Sequence, residues 1–301
     1  ARHLFGLALH LEVDGVPSTT PLAIASCGNA ALAAATVARA AGRPLAVQVP
    51  TWADEGVLGR LDDLGADVRV CERRSGEAGD PCLHRFREMV ADGAVPFCCQ
   101  GTENLLTLDG GRTLGFELAA QWATHGRSPT RLLVQVGGGA LASSTVQALD
   151  DVVARGGPTT RPCLVTVQHE GCAPLARAFN RVASADDPMA TLVLPDATSD
   201  DGSAMWPWTD PTSVATGLLD DVVYDWRALV NDMLLGPAPG GPVVATEADL
   251  VEAHRLVWAH TEVAADPTGT GGLAGLLAAR RDGCIGADEP IAILLTGVER
   301  S

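Results

Sequence analysis

Apolar residues along this chain gather into short runs, and longer amphipathic stretches separate them. The runs cover residues 22–25, 45–49, 67–70, 96–99, 132–136, 163–167 and 291–295. Largely continuous apolar runs of this length suit strands buried on both faces, as in parallel sheets covered by helices. Between most of them, the spacing of apolar positions predicts helices over 30–41, 55–64, 83–91, 114–124 and 141–155. Strands alternating with helices predict an α/β protein with mainly parallel, twisted sheets.

The polar turn cluster His125-Gly126-Arg127-Ser128-Pro129 separates a helix from a strand. It predicts one domain over 1–127 and a second over 128–301. The pattern becomes irregular over 196–217, and the stretch 234–242, rich in Gly and Pro, reads as a connector. No repeat of solenoid type is visible.

Composition narrows the partners. The chain has 301 residues, 47% apolar and 19% charged, with a formal charge of −16. That length suits two well-packed domains, and that charge opposes a phosphate backbone, so nucleic acid is not an expected partner. Small molecules in a local pocket are. The eight cysteines, Cys27, Cys71, Cys82, Cys98, Cys99, Cys163, Cys172 and Cys284, form no C-x-x-C pair and no zinc spacing with histidine. They read as reduced thiols of a cytoplasmic protein, and no metal site is expected. His254 and His260 are six apart, which places them on different helix faces. No apolar run reaches the roughly 20 residues of a membrane span, and no signal-peptide pattern is visible.

Three motifs offer chemistry. In the first, the run 22–25 delivers Ser26-Cys27-Gly28-Asn29 onto a helix start. Ligands of α/β sheets bind at that strand end, and free N–H groups of a helix N-terminus hold carboxylate or phosphate. The same residue types also cap helices with no ligand present. In the second, a strand delivers Gly137-Gly138-Gly139 onto another helix start. Three glycines lose much chain entropy on folding, and a nest of N–H groups around a phosphate is one reason to retain them; a flexible turn is the other. The motif is neither G-x-G-x-x-G nor a P-loop, so a dinucleotide or nucleoside triphosphate is disfavoured. In the third, a buried run ends in Thr296-Gly297, where a hydroxyl meets either a ligand atom or only its own strand.

In this order, the motifs resemble the fold-type II family of pyridoxal phosphate (PLP) enzymes: threonine and serine dehydratases, threonine synthase, cysteine synthase and the tryptophan synthase β chain. The resemblance rests on ASCGNAALAAATVARAAGRPLAVQVP, on NLLTLDGGRTLGFELAAQW with its acidic-Gly pair, on VGGGAL, on ADPTGTGGLAGLLAA with Asp266 where Glu is usual, and on LLTG. It implies a tryptophan synthase β-like fold of two domains, with 1–127 the smaller, substrate-loop domain and 128–301 the larger, phosphate-binding domain. It implies that the N–H groups of Gly137, Gly138, Gly139, Ala140 and Leu141 hold the PLP phosphate. Asn29 would bond the ring hydroxyl, and Ser26, Cys27, Gly28 and Asn29 the substrate carboxylate. Thr296 would meet the ring nitrogen, where a neutral hydroxyl suits β-elimination or β-replacement. Cys27 stands where Ser or Thr is commoner, and Gln100 matches only loosely a carboxylate-binding Gln of some members. The cup is more similar to those of dehydratases and threonine synthase than to that of cysteine synthase. The activity implied is β-elimination from a small hydroxy amino acid, with a threonine synthase-like or other β-replacement reaction as the alternative. Arg2, Arg112 and Arg300 are the cations considered for a phosphorylated substrate. A homodimer is implied by the resemblance alone.

One departure is central. All 21 basic residues are Arg, so the family's Schiff-base lysine is absent from this sequence. The resemblance places it at or just before Ala1, which predicts an N-terminal segment preceding this sequence. The alternative is a lysine-free pseudo-enzyme that binds PLP or an amino acid.

Overall fold

The structure is a computed structural model and describes residues 1–77, 80–157, 160–197 and 200–298. It resolves into two compact units, Ala1–Thr113 and Leu114–Ser301. The first unit opens with α1 (Arg2–Val13), then β1 (Leu22–Ala25), α2 (Asn29–Ala40), β2 (Leu45–Pro50), α3 (Glu55–Asp63), β3 (Asp67–Cys71), α4 (Pro81–Ala91) and the two-residue β4 (Val95–Pro96). The helix α5 (Thr107–His125) runs across the division between the units. The units therefore divide inside a helix, ahead of the 125–129 turn.

All pairings in the first sheet are parallel, in the order β3-β2-β1-β4. Leu22, Ala23, Ile24, Val47 and Val49 are buried there, which accounts for the unbroken apolar runs. Against them α2 turns Ala31, Ala34, Ala35 and Ala38, a small-residue stripe at helical spacing. Asp54 and Asp80 cap α3 and α4 by accepting the N–H groups of Val57 and Cys82.

The acidic-Gly pair Asp109-Gly110 lies inside α5 and has a packing role. A Cβ on Gly110 would lie 2.2 Å from the Arg2 carbonyl oxygen, and one on Gly6 would lie 2.4 Å from Gly110 Cα. The two helices touch backbone to backbone, and His10 meets Asp109 at 3.0 Å.

The second unit holds β5 (Arg131–Gln135), α6 (Ala140–Ala154), β6 (Cys163–His169), α7 (Pro174–Ala183), α8 (Pro188–Leu192), α9 (Trp226–Leu235), β7 (Gly241–Ala245), α10 (Glu247–His260), α11 (Gly271–Arg281) and β8 (Ile291–Ile293). Its parallel sheet has the order β7-β6-β5-β8. The strand β7 falls partly within the stretch read as a connector. Its Gly and Pro residues hide a strand that pairs with β6 along one edge only, a position that tolerates Pro. Leu132, Leu133, Val134, Leu164 and Val167 form the buried centre.

The two sheets share one plan. In each, the first strand lies inside, the second and third extend to one side, and the fourth returns to the other. The order reverses beside β1 and beside β5, and at such a switch point the loops at the carboxyl ends of the strands part to leave a crevice. Ser26–Asn29 follows β1, and Gly137–Gly139 follows β5.

Candidate functional site

In the first unit, α2 begins at Asn29 with Gly28 as its N-cap, and no side chain caps it. Ser26 Oγ accepts the Gly28 N–H at 3.4 Å, a long contact that turns the loop back on itself. Gly28 has φ −130° and ψ −147°, and a Cβ there would meet nothing within 4 Å. Cys27 is half-buried and Asn29 exposed. Gln100 follows the end of β4, the strand beside β1, so the topology brings it to the same edge of the first sheet as the Ser26–Asn29 loop.

The second unit builds a tighter loop. Gly139, the N-cap of α6, has φ 100°, a left-handed conformation that favours glycine. A Cβ on Gly137 would lie 2.5 Å from the Gly217 carbonyl oxygen and 2.6 Å from Asp220 Oδ2. On Gly138 it would lie 2.8 Å from the Tyr224 ring, and on Gly139 3.0 Å from Val223. The segment 217–225 thus packs against the glycine run, and each glycine answers a steric demand. Ala140 and Leu141 open α6, again without a side-chain cap.

The sequence reading missed two carboxylates on that segment. Asp220 accepts the Gly138 N–H, yet burial, with the neighbouring Asp221 charge, pushes it up to about 6. Burial also pushes Asp225 up to about 6, and its Oδ2 is buried with no hydrogen-bond partner among the described residues. Acidic residues of an irregular stretch carry no pattern of their own, so only the packing reveals them.

Thr296 lies beyond β8, half-buried. Its Oγ1 accepts a hydrogen bond of 2.6 Å from Gln135 Nε2. Gln135 ends β5, two residues before the cup, so the topology sets the hydroxyl and the glycine loop at one edge of one sheet. The same amide donates to the Gly269 carbonyl at 3.3 Å. Asp266 Oδ1 accepts the Gly269 N–H at 2.6 Å and fixes the loop that opens α11.

The remaining candidates are surface or structural. Arg2 donates to Thr113 and Arg112 to Asp109, and Arg300 lies outside the described residues. All eight cysteines are free thiols, and burial raises those of Cys82, Cys98 and Cys172. Among the described residues no group of His, Cys, Asp and Glu could hold a metal ion, and no helix is long and apolar enough to cross a membrane.

The chain belongs to the pyridoxal-phosphate dependent enzyme family, whose match covers residues 2–297. Among characterised relatives, it is 23% identical over 279 residues to the threonine synthase of Methanocaldococcus jannaschii, covering 91% of this chain and 60% of that one. It is 26% identical over 280 residues to the cysteate synthase of Methanospirillum hungatei, again covering 91% and 60%. The chain thus spans about three-fifths of the length of these relatives. In fold it is similar to the processed form of threonine deaminase isoform 2 from Solanum lycopersicum, with TM-score 0.73, 16% identity, and coverage of 100% of this chain and 75% of that one. Maize serine racemase gives TM-score 0.73 at 17% identity, covering 100% and 79%. The fold is therefore the tryptophan synthase β-like one of fold type II, and the cofactor of the family is pyridoxal 5′-phosphate.

The residues present fit the phosphate and ring ends of that cofactor. The Asp220 carboxylate faces the Gly138 N–H and lies against Gly137, and a glycine run of this kind can cradle an anion. A half-buried hydroxyl stands at the same sheet edge. The covalent anchor is different: the 301 residues contain no lysine.

Proposed function

We propose that this chain carries the cofactor- and carboxylate-binding parts of an amino-acid lyase. The reaction is β-elimination from a small hydroxy amino acid, such as L-serine or L-threonine, to a keto acid and ammonia. The observation that carries this reading is the 2.6 Å bond from Gln135 to the Thr296 hydroxyl beside the glycine cup. That bond supports the reading in which a neutral hydroxyl meets the ring nitrogen.

Pyridoxal phosphate, when bound, supplies the electron sink. The N–H groups of Gly137, Gly138, Gly139, Ala140 and Leu141, together with the positive end of α6, hold its phosphate. The uncapped start of α2 and the Ser26–Asn29 loop hold the substrate carboxylate, and Asn29 bonds the ring hydroxyl. Thr296 meets the ring nitrogen. A neutral hydroxyl there would leave that nitrogen unprotonated, which suits β-elimination or β-replacement.

Keto-acid release from L-threonine and L-serine, assayed with added pyridoxal phosphate, tests the reading. Release from either supports elimination. Release of inorganic phosphate from a phosphorylated hydroxy amino acid, with no keto acid, supports the threonine synthase-like alternative instead. The absence of lysine favours a second reading, a binding protein for pyridoxal phosphate or an amino acid. Borohydride treatment and peptide mapping of the full-length protein separate the two: a cofactor-modified lysine peptide from outside these 301 residues supports the enzyme, and tight binding with no modified peptide supports the binding protein.

A further inference from the structure

Gln135 is buried, with 5% of its surface exposed, and one end of its amide is unsatisfied. Its Oε1 has no hydrogen-bond partner among the described residues and lies close to Gly272 in the first turn of α11. Leaving a buried polar atom unpaired costs about 1–3 kcal/mol, and a methionine of similar volume would avoid it. Packing alone therefore gives no reason for Gln here. The other end of the amide does: Nε2 donates to both Thr296 Oγ1 and the Gly269 carbonyl.

The Gly269 carbonyl settles which way the amide points. Were Gln135 turned over, its own oxygen would face that carbonyl oxygen, two acceptors with no proton between them. Nε2 is thus the atom at Thr296, and Thr296 Oγ1 is an acceptor in that bond. The hydroxyl proton must then be directed away from Gln135. Thr296 is half-buried while Gln135 behind it is buried, so the proton is offered on the accessible side.

We propose that Gln135 is a positioning residue that locks the Thr296 hydroxyl as a donor and thereby holds the ring nitrogen of the bound cofactor unprotonated. This rests on the reading in which Thr296 meets that nitrogen. A donor stabilises a nitrogen lone pair and opposes an N–H at the same place. The side chain acting on the cofactor is Thr296; Gln135 acts through it and decides the protonation state.

The test uses pyridoxine 5′-phosphate labelled with 15N in the ring. It has no aldehyde, so its binding needs no lysine. The ring's protonation is followed by 15N NMR across a pH series in the wild type and in Gln135→Met, Gln135→Glu and Thr296→Ala. Met removes the donor at nearly constant volume. Glu accepts the hydroxyl proton and so reverses the hydroxyl. The expected result is a wild-type ring unprotonated at a pH where the free ligand is protonated. The protonation midpoint then rises by about one pH unit, a tenfold change in proton affinity, in Gln135→Met and by more in Gln135→Glu. Thr296→Ala raises it as well. If Thr296→Ala moves the midpoint while both Gln135 variants, folded by circular dichroism, leave it in place, the role of Gln135 is refuted and that of Thr296 stands. If the ligand binds and none of the three variants moves the midpoint, Thr296 is not at the nitrogen and both ideas fall. If the ligand does not bind the wild type, the cofactor-site reading itself is refuted.

Discussion

Two glycine loops follow the first strand of each sheet, and their glycines are there for different reasons. In Gly137–Gly139, a Cβ at each position would run into the 217–225 segment at 2.5 to 3.0 Å. At Gly28, a Cβ would meet nothing within 4 Å, and φ is negative. Packing within the protein enforces the glycines of the second unit. It does not enforce the one in the first. Under the proposed function, the open space at Gly28 leaves room for a substrate carboxylate to approach the backbone.

The largest effect expected from this contrast is at Gly137→Ala. Its methyl meets a backbone carbonyl and the Asp220 carboxylate, so the loop must move. The variant loses about 3 kcal/mol of stability together with its affinity for pyridoxine phosphate. Denaturant unfolding and a binding titration measure the two, and wild-type values for both would remove the steric argument for the cup.

Asp220→Asn sharpens the comparison from the electrostatic side. Asp220 ordinarily titrates near 3.8, and in the fold it is raised to about 6. A carboxylate with a raised pKa binds its proton more tightly in the folded protein than in the unfolded one. Its charge therefore destabilises the fold increasingly as pH rises from 4 to 6, and fully above 6. The amide carries no such charge, still accepts the Gly138 N–H, and no longer repels a phosphate. The variant gains about 3 kcal/mol at pH 7 and nothing at pH 3.5, and its affinity for a phosphate ester at neutral pH rises. A gain of equal size at both pH values would show that the Asp220 charge is not the cause.

Gly28→Ala gives the smallest change in stability, within about 0.5 kcal/mol. Its effect falls on ligand binding: affinity for an amino-acid carboxylate drops about tenfold, ~1.4 kcal/mol. A Tm shift of several degrees with unchanged binding would place Gly28 with the enforced glycines and erase the contrast.

Much of the fold is legible in the chain because burial on both faces leaves a simple mark. The runs at 22–25, 45–49 and 163–167 are strands within a residue or two of where the apolar pattern sets them. The strand β7 is not legible, because Gly241 and Pro242 read as a turn until β6 is there to pair with them. The division of the units inside α5 is equally hidden: Gly110 looks like a loop residue, and only the crossing of α1 explains it. The common strand order of the two sheets has no trace in the sequence, since parallel pairing joins residues far apart along the chain.

The sequence by itself determined the alternation of strand and helix, the three loops at strand ends and the missing lysine, because each is written in neighbouring residues. The tertiary structure alone decided that Asp220 and Asp225 crowd the glycine cup and that Gln135 grips Thr296 across 161 positions. Such contacts depend on which distant segments share a sheet edge, and local patterning holds no information about that.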